Sequence, residues 1–333
     1  MDTFNLDPIG LWLGRIEAPG IGPCVVTLRE GALLDITSTR APTVRDILEM
    51  VDAAAYVRTA PGKPVEATSD FTWLASCDLQ AVKACGVTFA GSMVERVIEE
   101  QAAGDPAQAA AIRDRIAARI GDSLSNITPG SAEAQEVKEA LIEEGLWSQY
   151  LEVGIGPDAE VFSKAQVLSS VGPKADVGLH PMSTWNNPEP EVVLAVSSKG
   201  EIKGATLGND VNLRDVEGRS ALLLSKAKDN NASCAIGPMI RLFDETFSID
   251  DARSAELTLT VTGEDDFELN GHSSMSQISR DPADLVRQTI GRHHQYPDGL
   301  MLFLGTLFAP TQDRDTPNGG FTHKLGDLVT IQN

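Results

Sequence analysis

The chain has 333 residues, and 27 Lys+Arg against 48 Asp+Glu leave a formal charge of −21. That balance repels a polyanionic duplex and an anionic lipid surface, so nucleic acid and membrane are excluded as leading partners. An apolar fraction of 42% is ample for a buried core, and a domain size of about 150 residues suggests roughly two domains.

Cys24, Cys77, Cys85 and Cys234 are scattered without CxxC spacing. They offer neither a disulfide framework nor a zinc-thiolate site and fit a reducing compartment. The start of the chain is acidic and mixed, unlike a signal peptide. The most apolar window, 299–310, is far shorter than the about 20 residues of a spanning helix. The expectation is a soluble cytoplasmic protein.

In chain order, Leu11-Trp12-Leu13 and Cys24 to Leu28 have strand composition between glycine and proline turns. Thr43 with Asp46 predicts a capped helix carrying Val44, Ile47, Leu48 and Val51. Phe89, Met93 and Val97, widened by Val94 and Ile98, predict an amphipathic helix. Asp105-Pro106 reads as an N-cap with proline at the first helical position, opening a helix through Ile112, Ile116 and Ile120. After Pro129-Gly130-Ser131 a further helix is expected to run to about Tyr150. Beyond residue 150 the reading turns to β. Val192 to Val196 is a buried strand, and Leu257 to Thr262 alternates as a half-buried one. Leu300 to Phe308 and Leu328 to Ile331 are further strands, with helices near 219–228 and 281–290. The expected organisation is a smaller N-terminal α+β domain over 1–148 and a β-rich catalytic domain over 149–333.

Glu189 and Glu191 flank Pro190 at the mouth of the Val192 strand, and i, i+2 side chains share one face of a strand. Two adjacent carboxylates repel unless a cation or proton sits between them. Alone, that pair would read as a solvated acidic turn. Asp210, after a strand expected over 201–206, could supply a third carboxylate and complete a hard oxygen site suited to Mg²⁺ or Mn²⁺. Arg214 could clamp a substrate carboxylate, and Lys226 could bring an ammonium beside the metal to stabilise an enolate or move a proton. Other motifs fail. Asp266-x-Glu268-x-Asn270-Gly271 has Gln277 where a calcium loop closes on glutamate, so a β-hairpin is expected there. The clusters Gly20-Ile-Gly22 and Gly154-Ile-Gly156 lack the third glycine of a dinucleotide site.

Glu189-Pro-Glu191, Gly208-Asn-Asp-Val-x-x-Arg-Asp215, Lys226-x-x-Asp229 before Gly237-Pro238, Gly305-Thr306 and Leu325-Gly-Asp-Leu-Val-Thr-Ile331 together resemble the fumarylacetoacetate hydrolase superfamily. The resemblance implies an α+β fold with a mixed β-roll or β-sandwich catalytic domain. It implies a divalent metal on Glu189, Glu191 and Asp210, with substrate contacts from Arg214, Lys226 and Thr306. It also implies a homodimer or homotetramer.

Hydrolases of this superfamily resemble one another in a water-activating histidine before the metal ligands. Here the histidines are His180, His272, His293, His294 and His323, and His180 is expected to be structural. Gly86-Val-Thr-Phe89 followed by Ser92, Arg96 and Glu99 resembles the sugar-acid dehydratase branch. Arg96 and Glu99, three apart, share a helical face. The whole, with Trp185 to Glu191 and Ser273 to Arg280, is most similar to bacterial 2-keto-3-deoxy-pentonate dehydratases. The implied chemistry is metal-assisted loss of water from a 2-keto acid, with Glu99 or Lys226 as the base at C3, giving 2-oxoglutarate semialdehyde. Two other readings are an acylpyruvate-type C–C hydrolase on the same site and a catalytically silent scaffold of this fold.

Overall fold

The computed structural model describes residues 4–66, 70–103, 105–109, 112, 127–143, 145 and 147–333. The first strands, β1 (Trp12–Ala18), β2 (Gly22–Arg29) and β3 (Ala32–Asp35), form the meander that the turn residues dictate. β4 (Lys63–Pro64), β5 (Thr72–Trp73) and β6 (Ala81–Gly86) precede the helix Ala90–Gln101. After the helices Ala132–Glu143 and Gln149–Ile155 come β7 (Glu160–Ala165), β8 (Asn186–Asn187), β9 (Pro190–Val196), β10 (Ile202–Asp210) and β11 (Asn212–Leu213). β12 (Cys234–Leu242), β13 (Glu256–Thr262), β14 (Glu268–Ser274), β15 (Leu300–Phe303) and β16 (Leu328–Gln332) follow.

Among the described residues eleven strands form one mixed sheet in the order β4-β3-β2-β1-β12-β10-β9-β15-β6-β7, with β5 on β1. β15 runs parallel to β6 and antiparallel to β9. β14-β13-β16 form a separate antiparallel sheet that includes the expected hairpin at Asp266. The class is α+β and β-rich, as expected. The division at 148/149 falls at Ser148, the N-cap of the helix Gln149–Ile155, and strands from both sides of it share the large sheet.

The central strands are apolar on both faces because both faces are covered. Val193, Ala195, Met301 and Phe303 pack with Val44, Ile47 and Val57 of the helices Val44–Leu48 and Ala53–Thr59. Val192, Leu194, Val196, Leu300 and Leu302 pack the other way, against Leu257 of β13 and Leu285 of the helix Pro282–Thr289. Met93, Val97 and Ile98 of the helix Ala90–Gln101 meet Tyr150, Leu151 and Ile155 in a third core.

Several boundaries differ from expectation for local reasons. The capping box at Thr43 forms, with Asp46 returning to the Thr43 N–H. Asp105 caps Pro106 by accepting from the Ala107 N–H at 3.0 Å, whereas Ile116 and Ile120 lie outside the described residues. The helix expected to reach Tyr150 is described over Ala132–Glu143. Gly145 takes φ +68°, and Ser148 starts a new helix by accepting from the Tyr150 N–H. The strand at Leu300 ends at Phe303, just before Gly305 at φ +91°.

Candidate active site

Strand pairing assembles the acidic centre. β9 and β10 are registered with Gly208 opposite Glu191 and Asn209 opposite Pro190. The Asp210 N–H donates to the Glu189 carbonyl at 3.0 Å, and the Glu189 N–H donates to Asn209 Oδ1 at 3.0 Å. One oxygen from each of Glu189, Glu191 and Asp210 therefore falls within 4.8 Å of the others, and all three residues are buried. The i, i+2 argument and the addition of Asp210 hold geometrically.

The electrostatics of the three differ. Burial pushes the Glu191 carboxyl well above its ordinary range, and Asp210 and Glu189 push it further. It accepts a hydrogen bond from the Gly305 N–H, 2.7 Å from Oε2. Burial would also raise Asp210, but Lys164 and Lys228 more than reverse this and hold it low. Lys228 Nζ lies 2.7 Å from Glu189 Oε2 and 3.0 Å from Asp210 Oδ2, and Lys164 Nζ lies 2.9 Å from Asp210 Oδ1. Lys164 is fully buried and also donates to the Val211 and Lys228 carbonyls. A carboxyl raised by its anionic neighbours, among hard oxygen donors, fits a divalent ion.

The helix Ala90–Gln101 brings the second half of the site. Arg96 Nη1 lies 2.6 Å from Glu99 Oε2, as the i, i+3 spacing predicts, and 2.6 Å from Glu217 Oε2, while Nη2 lies 3.2 Å from Glu189 Oε1. Arg96 thus ties the helix to the metal ligands. The Arg214 Nε donates to Glu99 Oε1 at 2.7 Å, Nη2 pairs with the same carboxylate, and Nη1 donates to the Pro310 carbonyl. The guanidinium stacks 4.5 Å over the Trp185 ring. Burial alone would raise the Glu99 carboxyl, but Arg214 and Arg96 hold it below the carboxylate range. Glu99 is 3% exposed, which removes it from the class of surface ion pairs. Before this helix Val87 sits at φ +57°, a costly conformation for a β-branched residue, on the cavity wall. Thr306 is buried, lines the cavity and accepts from the Phe308 N–H.

Lys226 requires correction. It is exposed, and the ammonium in the centre belongs to Lys228. Both lie on the helix Leu224–Lys228, where two residues are about 200° apart around the axis, so only one can face the acids. His180 sits in a loop, where its Nδ1 accepts from the Met182 N–H, consistent with a structural role.

Lys164, Glu160 and Glu217 were not foreseen. Glu160, Phe162 and Lys164 alternate on β7, so one face of that strand serves the site. A charged–aromatic–charged alternation in a short strand was the available signal.

No family model matches the chain. Over 177 residues it is 30% identical to a probable 2-keto-3-deoxyxylonate dehydratase of Haloferax volcanii, covering 53% of this chain and 60% of that protein. Over 175 residues it is 32% identical to the 2-dehydro-3-deoxy-D-arabinonate dehydratase of Saccharolobus solfataricus, covering 51% and 57%. The matches thus span under two thirds of these curated relatives. Among solved structures it is similar to 2-keto-3-deoxy-D-arabinonate dehydratase complexed with magnesium and 2,5-dioxopentanoate, with TM-score 0.66, 20% identity, and 96% and 94% of the two chains covered. It is also similar to a fumarylacetoacetate hydrolase from Exiguobacterium antarcticum, with TM-score 0.57, 14% identity, and 97% and 95% covered. The resemblance read in the sequence is borne out: the chain has the fumarylacetoacetate hydrolase fold, and its curated relatives are 2-keto-3-deoxy-pentonate dehydratases.

Proposed function

We propose that the chain is a divalent-metal-dependent dehydratase that converts a 2-keto-3-deoxy pentonate to 2-oxoglutarate semialdehyde in pentose catabolism. The observation that carries it is the joining of two units by Arg96. A three-carboxylate centre suited to Mg²⁺ or Mn²⁺ and a buried Glu99 share one cavity. The ion, when held by Glu189, Glu191 and Asp210, supplies Lewis acidity to a 2-oxo acid.

Glu99, kept ionised between two guanidiniums, takes the C3 proton; the exposure of Lys226 favours Glu99 over it as the base. Arg96 and Arg214 fix that carboxylate and offer positive charge to a substrate carboxylate. Lys228 and Thr306 line the same space. Among the described residues no histidine lines the cavity, which favours water loss over C–C hydrolysis.

The homodimer or homotetramer is part of the proposal, to be measured by light scattering. So is a cytoplasmic setting; among the described residues no helix is long and apolar enough to cross a membrane. The test is incubation with 2-keto-3-deoxy pentonates and Mg²⁺, coupled to a semialdehyde dehydrogenase. NAD(P)H formation that EDTA abolishes is the expected result. Pyruvate release from an acylpyruvate without semialdehyde formation would overturn it in favour of the hydrolase.

A further inference from the structure

Gly271 lies inside β14, opposite Leu259 of β13, where a glycine costs strand stability unless something approaches the backbone closely. What approaches is Phe308. A Cβ at Gly271 would overlap the Phe308 ring, so the ring rests directly on bare backbone. Leu269, Gly271 and Ser273 share this face of β14 by the strand period of two, and Leu269 belongs to the core against which Phe308 packs. Ser273 Oγ accepts from the Leu307 N–H at 3.1 Å, and the Glu268 carbonyl accepts from Gln312 Nε2 at 2.9 Å. β14 therefore braces the segment 307–312 at three points.

The same stretch of chain forms one wall of the cavity. It is anchored at both ends of the site. The Gly305 N–H donates to Glu191 at 2.7 Å, and the Pro310 carbonyl accepts from Arg214 Nη1 at 3.1 Å. Phe308 lies between these anchors, its N–H donating to Thr306 Oγ1 at 3.0 Å. With Phe162, Ala309 and Pro310 it gives an apolar stretch to a wall that elsewhere carries charged side chains. The ring has cavity before it and strand backbone behind it, so it has no room to retreat.

Resting on the dehydratase reading above, we propose that Phe308, backed by Gly271, sets substrate length: it admits a five-carbon 2-keto-3-deoxy acid and stops a six-carbon one. A 2-oxo acid held at C1 and C2 by the acidic centre, with C3 at Glu99, extends C4 and C5 past the segment 305–310. A sixth carbon meets the ring. Its hydroxyl finds an apolar surface there, and a polar group left without a partner costs further. A backed ring is a firmer stop than an adaptable pocket, where one methylene is worth about 10–200-fold.

The test compares wild type with Phe308→Ala on 2-keto-3-deoxy pentonates and hexonates with Mg²⁺, following substrate loss by NMR. In parallel, 2-oxopentanoate and 2-oxohexanoate, which have no hydroxyl to lose, are titrated by calorimetry. The pentonate-to-hexonate ratio of kcat/KM should fall about tenfold or more in Phe308→Ala, and 2-oxohexanoate should gain about as much in affinity relative to 2-oxopentanoate. Phe308→Leu, which shortens the stop and keeps an apolar side chain, should move both ratios the same way by less. Gly271→Ala, which drives the ring forward, should weaken pentonate turnover in the wild-type background and be silent in Phe308→Ala. Unchanged ratios in both Phe308 variants, equal losses on both chain lengths, or a Gly271→Ala defect that persists in the double variant overturn the proposal. A wild type that consumes no pentonate yet prefers 2-oxopentanoate overturns the dehydratase reading alone. One that shows the preference in neither turnover nor binding overturns this inference.

Discussion

Replacing Glu191 by glutamine isolates the metal centre from the fold. The Glu191 carboxyl is held well above its ordinary range by burial and by Asp210 and Glu189, an environment that favours its neutral form. Glutamine copies that neutral form in size, and its carbonyl can still accept the Gly305 N–H. The variant should unfold within about 0.5 kcal/mol of wild type without metal, as expected of a substitution that makes no cavity and strands no charge. Divalent metal changes the comparison. At a concentration 100 times its Kd, a ligand bound only by the native state stabilises by about 2.7 kcal/mol. With 333 residues at about 2.1 cal/mol/K each, the unfolding entropy is about 0.7 kcal/mol/K, so Tm rises by about 4 °C. Differential scanning fluorimetry with and without MgCl2 reads this directly. The wild type should shift and Glu191→Gln should not. An unmoved wild type at tens of millimolar Mg²⁺, or an equal shift in the variant, would refute convergence of the three acids on one ion.

Further predictions address the neighbours. Glu99→Gln should lower kcat far more than it changes KM, and should cost about 3–5 kcal/mol in urea denaturation because it leaves two buried guanidiniums without their shared anion. Lys228→Met should abolish turnover whereas Lys226→Met should leave kcat and stability unchanged, since only Lys228 reaches Glu189 and Asp210. Steady-state kinetics of the pair decides the point. Burial lowers the His323 imidazole to about 4, so in the fold it stays neutral where the unfolded chain is protonated. Its contribution is full above about 6.5 and is lost as pH falls toward 4, about 3 kcal/mol in all, and His323→Gln should flatten that part of the stability–pH curve.

What was legible in the sequence is what short-range pattern controls. The Val192 to Val196 run reads as a strand covered on both sides because each residue is apolar, and it is buried throughout. Glu189 and Glu191 share a side because strand period is two, and Arg96 meets Glu99 because helix neighbours are three apart. The lysine was misassigned because motif spacing says which segment carries an ammonium, whereas helical phase decides which of Lys226 and Lys228 turns inward. Lys164 and Glu160 were hidden because β7 reaches the site only through pairing with β6, which itself lies beside β15, more than 200 residues further along the chain. No local period reports that adjacency.

Among the described residues β7 ends the sheet order, so it is a border strand as well as a wall of the cavity. A border strand invites docking by foreign backbone, and charges buried on its inner side discourage that. Swapping Glu160 and Lys164 for aliphatic residues would therefore do more than reline the cavity. It would strip the border of its deterrents and turn the folded chain into a template for aggregation.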